Sequence, residues 1–474
     1  MQTYLFYDIE TTGLNRAFDQ VLQFAAIRTD PELNELERHE IIVKLRPDVV
    51  PSPGAMIAHC IPISRTRSGV CEFEATAQIH ALLNEPNTIS LGYNTLGFDD
   101  EFLRFAFHRN LLPPYRHQYA NNCRRMDLLP MVTMYYLYKS EVLEWPRIDD
   151  RVSLKLEYLK EINSLTDGVP HDALTDVLAS VELARRLARE RDVWNYLASH
   201  FDKGQDIRRI RRLTRFSDRL PKHYTFGLLV SSDIGWQRNY QAPVLFLGHS
   251  IPYKDHTLWL RLDLPELRQT TPETIREHTW VVKKKYGEPG IILPPEPRFM
   301  ERIDEERRAI LRENQSWLEQ HPDLLDAIAR HHREFAYPEI PDVDADAALY
   351  QMGFLSDRDQ ERCRRFHRAT LAERIEMIET FDHPVMRELA QRVLLRNYRE
   401  HLPERFEPAF RRLMQRVNPL PLEGTMIDYR GRERLTPEAA LREIKRLKRE
   451  EALDELQIRV LDELEPYLRE RFGG

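Results

Sequence analysis

The first dozen residues impose the strongest constraint on this chain. Tyr4-Leu5-Phe6-Tyr7 leads without a break into Asp8-Ile9-Glu10-Thr11-Thr12-Gly13. A continuous apolar run rich in aromatics reads as a strand buried on both faces. Side chains at i and i+2 of a strand share a face, so Asp8 and Glu10 project together from its end. Two carboxylates side by side repel unless a cation sits between them, and hard oxygen ligands favour Mg²⁺ or Mn²⁺ over zinc. Acidic pairs at strand ends are also common without any ligand, so this pair leaves both readings open.

The rest of the chain divides by pattern. To about residue 200, short β-rich runs alternate with helical stretches: strands at Val21–Ile27, Ile41–Leu45 and Thr88–Tyr93, and helices near Ala75–Leu83, Asp100–Arg109, Leu154–Glu161 and Asp172–Glu190. That order implies an α/β layer architecture opened by a meander. From about 205 to 345, Phe226–Val230, Ala242–Leu247 and Thr257–Leu262 are short, β-prone and separated by turn residues. They predict a small all-β or barrel-like unit, with a helical extension over 302–336. The last third is helical throughout, at Asp357–Phe366, Leu371–Phe381, Pro384–Glu400, Pro408–Arg416 and Pro437–Leu464. Thr436-Pro437-Glu438 supplies a cap, a first-turn proline and a first-turn acid.

Composition narrows the class further. With 474 residues, 31% charged and 42% hydrophobic, the chain is long enough for two to four domains with their own cores. Cys60, Cys71, Cys123 and Cys363 form no CxxC pair, which fits reduced thiols and argues against zinc. The chain enters a strand within three residues and has no 18-residue apolar stretch, so a cytoplasmic protein without a signal or membrane span is expected. The net charge of -7 taken alone disfavours a polyanionic partner.

Local charge says otherwise. Arg208, Arg209, Arg211, Arg212 and Arg215 fall within eight residues, either a track for phosphates or a solvated basic helix. Lys283 and Lys284, followed by Lys285-Tyr286, form a second basic cluster. Trp236, Trp259 and Trp280 could stack bases or pack in a core.

Two more patterns complete the first. In Gly92-Tyr-Asn94-Thr-Leu-Gly-Phe98-Asp99, a strand ends in a turn and Asp99 opens a helix, where it could equally be a cap. In His171-Asp172-Ala-Leu-Thr-Asp176, a helix opening at Asp172 puts Asp176 about one turn in, with His171 on the preceding loop. The order D-x-E-T-x-G, N-x-x-x-F-D and H-D-A-x-x-D resembles the DEDDh superfamily of 3′→5′ exonucleases. Leu91-Gly-Tyr-Asn94, Phe98-Asp-Asp-Glu101, Ser153-Leu-Lys-Leu-Glu157, Leu349-Tyr350, Gly353-Phe354 and Asn397-Tyr398-Arg399 further resemble the bacterial exonuclease I family.

That resemblance implies a ribonuclease H-like α/β exonuclease domain (1–200), an SH3-like β domain with a helical extension (205–345) and an all-α C-terminal domain (349–474). It implies Asp8, Glu10, Asp99 and Asp176 as ligands for two Mg²⁺ ions, with Mn²⁺ able to substitute, and His171 as general base. The expected reaction is processive hydrolysis of single-stranded DNA to nucleoside 5′-monophosphates, with a role in DNA repair and recombination. The expected partners are single-stranded DNA and the C-terminal tail of single-strand DNA-binding protein, and the protein is expected to act as a monomer away from membranes. Competing expectations are a DEDDh exonuclease preferring RNA or mismatched DNA ends, and a catalytically inactive nucleic-acid-binding scaffold.

Overall fold

The computed structural model describes residues 1–166, 172–420, 424–450 and 452–473. Strand β1 (Thr3–Thr11) is central to a mixed sheet of order β3-β2-β1-β4-β5, where β2 is Val21–Thr29, β3 Glu35–Ile42, β4 Thr88–Leu91 and β5 Arg124–Arg125. β1 pairs antiparallel with β2 along its length and parallel with β4 through Thr3↔Thr88 to Phe6↔Leu91. Sheet neighbours on both sides and apolar side chains on both faces explain why Tyr4–Tyr7 are buried. Leu5, Tyr7, Ile9, Phe24 and Ala26 pack with Ile79, Leu83, Phe102, Leu103 and Phe107 of the flanking helices.

The third strand lies earlier than its apolar residues suggest. Ile41–Leu45 reads as the strand, yet β3 runs Glu35–Ile42 and pairs as Ala25↔Glu40 and Ile27↔Arg38. As an outer strand with one wet face, it is built largely from charged residues that carry no apolar signal.

Two compact units result, and neither follows chain order. One gathers Met1–Arg124, Asp167–Leu178 and Glu339–Gly474; the other gathers Arg125–Thr166 and Ala179–Pro338. In the first, the C-terminal helices Asp357–Arg368, Pro384–Asn397, Glu407–Val417, Pro437–Glu450 and Glu455–Phe472 are packed into one core with the N-terminal segment. Phe366, Phe381, Leu389, Leu394, Ile444 and Leu464 share that core with Phe18, Leu22, Met56, Phe73 and Phe105. The expected single helix Pro437–Leu464 is in fact two, because Asp454 and Gln457 form a reciprocal capping box that starts a new helix at Glu455.

The second unit holds a short hairpin, β6 (Arg147–Ile148) and β7 (Arg151–Val152), and the expected β region. The latter is an antiparallel sheet of order β11-β10-β9-β8-β12, with β8 Thr225–Val230, β9 Gln241–His249, β10 His256–Arg261, β11 Val281–Lys285 and β12 Ile291–Leu293. Leu245, Leu258 and Leu260 pack on Leu311, Leu318, Leu325 and Ile328 of helices Glu305–Gln320 and Pro322–Glu334. Val244, Trp259 and Ile292 pack with Ile210. Among the described residues, no helix is long and apolar enough to cross a membrane, and all four cysteines are free.

Candidate active site

The site begins where β1 ends. Asp8 pairs with Ala25 and Glu10 with Gln23, and the register slips between Glu10 and Thr11, so the strand bends just past the second carboxylate. The Thr-Thr-Gly that follows builds a tight turn. Thr12 Oγ1 donates to Asp19 Oδ1 at 2.9 Å, and Asp19 Oδ2 accepts from the Asn15 amide at 2.8 Å. A side chain at Gly13 would collide with the Asp19 carboxylate, its Cβ falling 2.4 Å from Oδ2.

The second motif approaches from β4. A Cβ at Gly92 would lie 2.3 Å from the Tyr7 carbonyl oxygen, so only glycine lets this backbone pass so close to β1. Asn94 takes a left-handed turn (φ 63°), and the helix Asp99–Arg109 starts. Asp99 is 4% exposed, and its Oδ1 accepts from the Ile9 amide, between Asp8 and Glu10, at 3.1 Å. It therefore joins two motifs that are 90 residues apart.

The third motif is the helix Ala173–Leu187. Asp172 caps it: its Oδ2 accepts from the Thr175 amide at 3.3 Å and from Thr175 Oγ1 at 3.2 Å, and its Oδ1 accepts from Gln23 Nε2 at 3.1 Å. Asp176 then comes to the strand. Carboxylate oxygens of Asp8, Glu10 and Asp176 all lie within 4.8 Å of one another. His171 lies outside the described residues.

Electrostatics mark this as an unusual place. Burial pushes the Asp8 carboxyl well above its ordinary value, reinforced by Asp99, Glu10, Asp176 and Asp172. Burial, with Asp176, Asp99 and Asp172, pushes Glu10 up to about 9. Every neighbour named in these shifts is acidic. At an effective dielectric near 20, each close carboxylate pair costs on the order of 3 kcal/mol when both are ionised. Oxygen-only donors at this spacing suit a hard divalent cation such as Mg²⁺ or Mn²⁺, which would relieve that repulsion.

Asp172 and Gln23 were not singled out as site residues from sequence. Asp172 carried a signal, since an Asp three residues before Thr175 at a helix start is a cap. Gln23 carried none, because its place opposite Glu10 depends on the β1–β2 register.

The basic candidates separate in the second unit. The helix Lys203–Arg211 buries Asp206 and Ile210 and leaves Arg208, Arg211 and Arg212 exposed, as is Arg215 just beyond it. Arg209 is half-buried and bonds to Ser199 Oγ while its guanidinium lies 5.0 Å from the Tyr196 ring. Lys283 is exposed, with Nζ 2.6 Å from Tyr337 Oη and 4.2 Å from its ring centre. Lys284 corrects its expectation as an open DNA contact. It is 3% exposed, and its ammonium is held by Asp206 Oδ2 at 2.8 Å and the Lys285 and Glu288 carbonyls at 3.0 Å each. Alternation along β11 turns Lys283 out and Lys284 in. The tryptophans also divide: Trp259 is fully buried, Trp236 has the Arg151 guanidinium 4.1 Å over its ring, and Trp280 is 60% exposed.

Residues 5–184 match the family described as Exonuclease, and residues 343–471 match the Exonuclease I C-terminal domain. Exodeoxyribonuclease I of Escherichia coli (strain K12) is 29% identical over 381 residues, covering 76% of this chain and 78% of that protein. Its counterpart in Haemophilus influenzae is 33% identical over 230 residues, covering 48% of each chain. Among solved structures, E. coli exonuclease I in complex with a dA16 oligonucleotide superposes with a TM-score of 0.86 at 25% identity, covering 99% of this chain and 100% of that one. A structure described as SSB/Exonuclease I in complex with inhibitor CFAM gives 0.82 at 25% identity, covering 99% and 100%.

Proposed function

Because the chain belongs to the exonuclease I family, we propose that it is a metal-dependent exodeoxyribonuclease that degrades single-stranded DNA from its 3′ end. The observation that carries this reading is the meeting of Asp8, Glu10 and Asp176 within 4.8 Å on the stretch of β1 to which Asp99 is bonded. Relatives named exodeoxyribonuclease I and an E. coli relative bound to a DNA oligonucleotide support it. We keep the division into exonuclease (1–200), SH3-like (205–345) and C-terminal helical (349–474) modules as part of the proposal.

In this reading Asp8, Glu10, Asp99 and Asp176 hold two Mg²⁺ ions. When bound, these supply the positive charge that phosphodiester hydrolysis needs at its attacking and leaving oxygens. His171 takes a proton from the attacking water. Water oxygen bonds to phosphorus, the bond to the 3′-oxygen breaks, and that oxygen leaves and takes a proton from solvent to become a hydroxyl, while His171 returns its proton to solvent. The products are a nucleoside 5′-monophosphate and a strand shorter by one. The exposed Arg208, Arg211, Arg212, Arg215 and Lys283 are the proposed phosphate contacts. Processive action by a monomer, a cytoplasmic role in DNA repair and docking of the single-strand DNA-binding protein tail belong to the same proposal; the SSB/Exonuclease I structure supports the last.

The test is nucleotide release with Mg²⁺ from matched single-stranded DNA, duplex DNA and RNA, labelled at the 3′ end. Single-stranded DNA should be consumed fastest, one 5′-monophosphate at a time. Faster digestion of RNA would overturn the substrate assignment.

A further inference from the structure

Glu101 stands two residues past Asp99, in the first turn of the same helix, and its carboxylate is not among the three that gather at the site. Its Oε2 lies 2.7 Å from Arg16 Nε, and its Oε1 accepts from the hydroxyls of Tyr350 at 3.0 Å and Tyr429 at 3.1 Å. Three distant segments of the same compact unit meet on this one side chain.

Each contact continues into the site. Arg16 belongs to the loop that follows Glu10 and Gly13, and its NH2 also donates to the Gly97 carbonyl at 3.0 Å, in the turn that precedes Asp99. Its neighbour Asn15 donates to Asp428 at 3.0 Å, beside Tyr429. The Tyr350 and Tyr429 rings pack on Phe105 at 5.3 and 4.9 Å, and His108 Nε2 lies 2.9 Å from the Ala345 carbonyl oxygen. Positions 101, 105 and 108 are one face of a helix at i, i+4 and i+7. That whole face is therefore engaged by the C-terminal segment.

We propose that Glu101 is a positioning residue through which Tyr350 and Tyr429 of the C-terminal segment set the placement of Asp99 and of the loop after Glu10. The inference rests on the metal-site reading of Asp8, Glu10, Asp99 and Asp176. Stability alone gives a poor account of the cluster. The Arg16 and Glu101 side chains are 18% and 19% exposed, and the same segments already share a large apolar core that does not depend on them. Direction is what a four-group junction supplies: it fixes the rotation of the first helical turn, and Asp99 is in that turn. Groups that orient metal ligands are known to control affinity and rate without touching the metal.

The experiment compares full-length wild type with Glu101→Gln and with the double variant Tyr350→Phe/Tyr429→Phe. Glutamine keeps the shape but loses the charge that holds Arg16, and phenylalanine keeps the ring packing on Phe105 but loses the hydroxyls. Mn²⁺ binding is measured by calorimetry, and turnover by nucleotide release from a short single-stranded oligonucleotide. Glu101→Gln should weaken Mn²⁺ binding and lower kcat by about 10-fold or more, within the range for orienting groups, with KM for the oligonucleotide little changed. The double tyrosine variant should shift both in the same direction by less.

Wild-type Mn²⁺ affinity and kcat in both variants would overturn the proposal. So would losses that match a fall in folded fraction at the assay temperature, followed by circular dichroism. If the wild type binds Mn²⁺ but releases no nucleotide, the exonuclease reading falls, and the binding comparison alone decides the role of Glu101.

Discussion

The first compact unit buries carboxylates in two places, with opposite consequences. At the site, Asp8 and Glu10 sit among other acids and are pushed up, Glu10 to about 9. Elsewhere in the same unit, Asp48, Glu72 and Asp346 are at least as deeply buried but are interleaved with arginines. Arg396 lies 2.9 Å from Asp48 and bonds to Asp346, and Arg46 and Arg109 lie 2.8 and 3.2 Å from Glu72. Burial alone would raise these acids; Arg396, Arg46 and Arg434 instead hold Asp48 well below the usual carboxylate range, and Arg396 and Arg392 do the same for Asp346. One cluster is interleaved with arginines; in the other, the described neighbours that shift Asp8 and Glu10 are all acidic. That repulsion is what the proposed cations would relieve.

The largest effect should come from removing a member of the acidic cluster. Asp8→Ala should lower Mg²⁺-dependent nucleotide release by about 10²–10³-fold or more, the scale for losing a principal electrostatic group. The thermal midpoint of the metal-free protein should stay the same or rise, because a repulsion has been deleted. A variant that loses activity only in proportion to lost folding would erase the contrast.

The arginine-interleaved cluster should respond in the reverse way. Arg396→Ala leaves Asp48 and Asp346 buried with less countercharge and should cost about 3–5 kcal/mol in denaturant titration, while activity per folded molecule persists. If this variant is as stable as wild type, the arginines are not what holds those acids.

The two clusters were unequally legible in the sequence. The two-residue strand repeat puts Asp8 and Glu10 on one face, and helix starts mark Asp99 and, a turn further in, Asp176. Only the order of the three motifs, through the family resemblance, joins them into one expected site. The arginine network was not legible, since Asp48 and Arg396 are 348 positions apart and meet only after the C-terminal helices share a core with the N-terminal segment. The same interleaving hid Glu101, whose partners Tyr350 and Tyr429 lie about 250 and 330 residues on. The apolar pattern places edge strand β3 too late, because its charged residues mimic a loop. The apolar pattern runs on across the break at Asp454, although Asp454 and Gln457 spell a capping box.

Acid–base behaviour should separate the clusters by sign. Asp8 and Glu10 have folded values above their ordinary ones, so their favourable contribution is present below the ordinary carboxylate range and is lost as pH rises, for Glu10 toward about 9. For Asp48, Glu72 and Asp346 the values are lowered, so their contribution is present above the ordinary carboxylate range and disappears on acidification. In chelator, Glu10→Gln should therefore gain thermal stability over wild type progressively between pH 5 and about pH 8.5, and Mn²⁺ should remove that advantage by stabilising wild type. A gap that does not change with pH would mean Glu10 is not strained in the folded state.

The smallest effect concerns two adjacent lysines that repeat the contrast in the second unit. Lys284 is like the arginine-interleaved cluster, its charge consumed inside by Asp206, whereas Lys283 presents its ammonium at the surface against Tyr337. If Lys283 meets a phosphate of single-stranded DNA, Lys283→Ala should reduce the slope of log affinity against log salt by about 0.7, the value for one contact to a single strand. Binding should weaken alike for all base sequences, and the thermal midpoint should hold. Lys284→Ala should do the opposite, lowering stability because Asp206 is left buried without its partner, while the slope for the folded protein stays that of wild type. Titrations at several salt concentrations on both variants decide between a surface cation that reads phosphate and one that only covers an aromatic ring. An unchanged slope for Lys283→Ala would remove it from the strand's path.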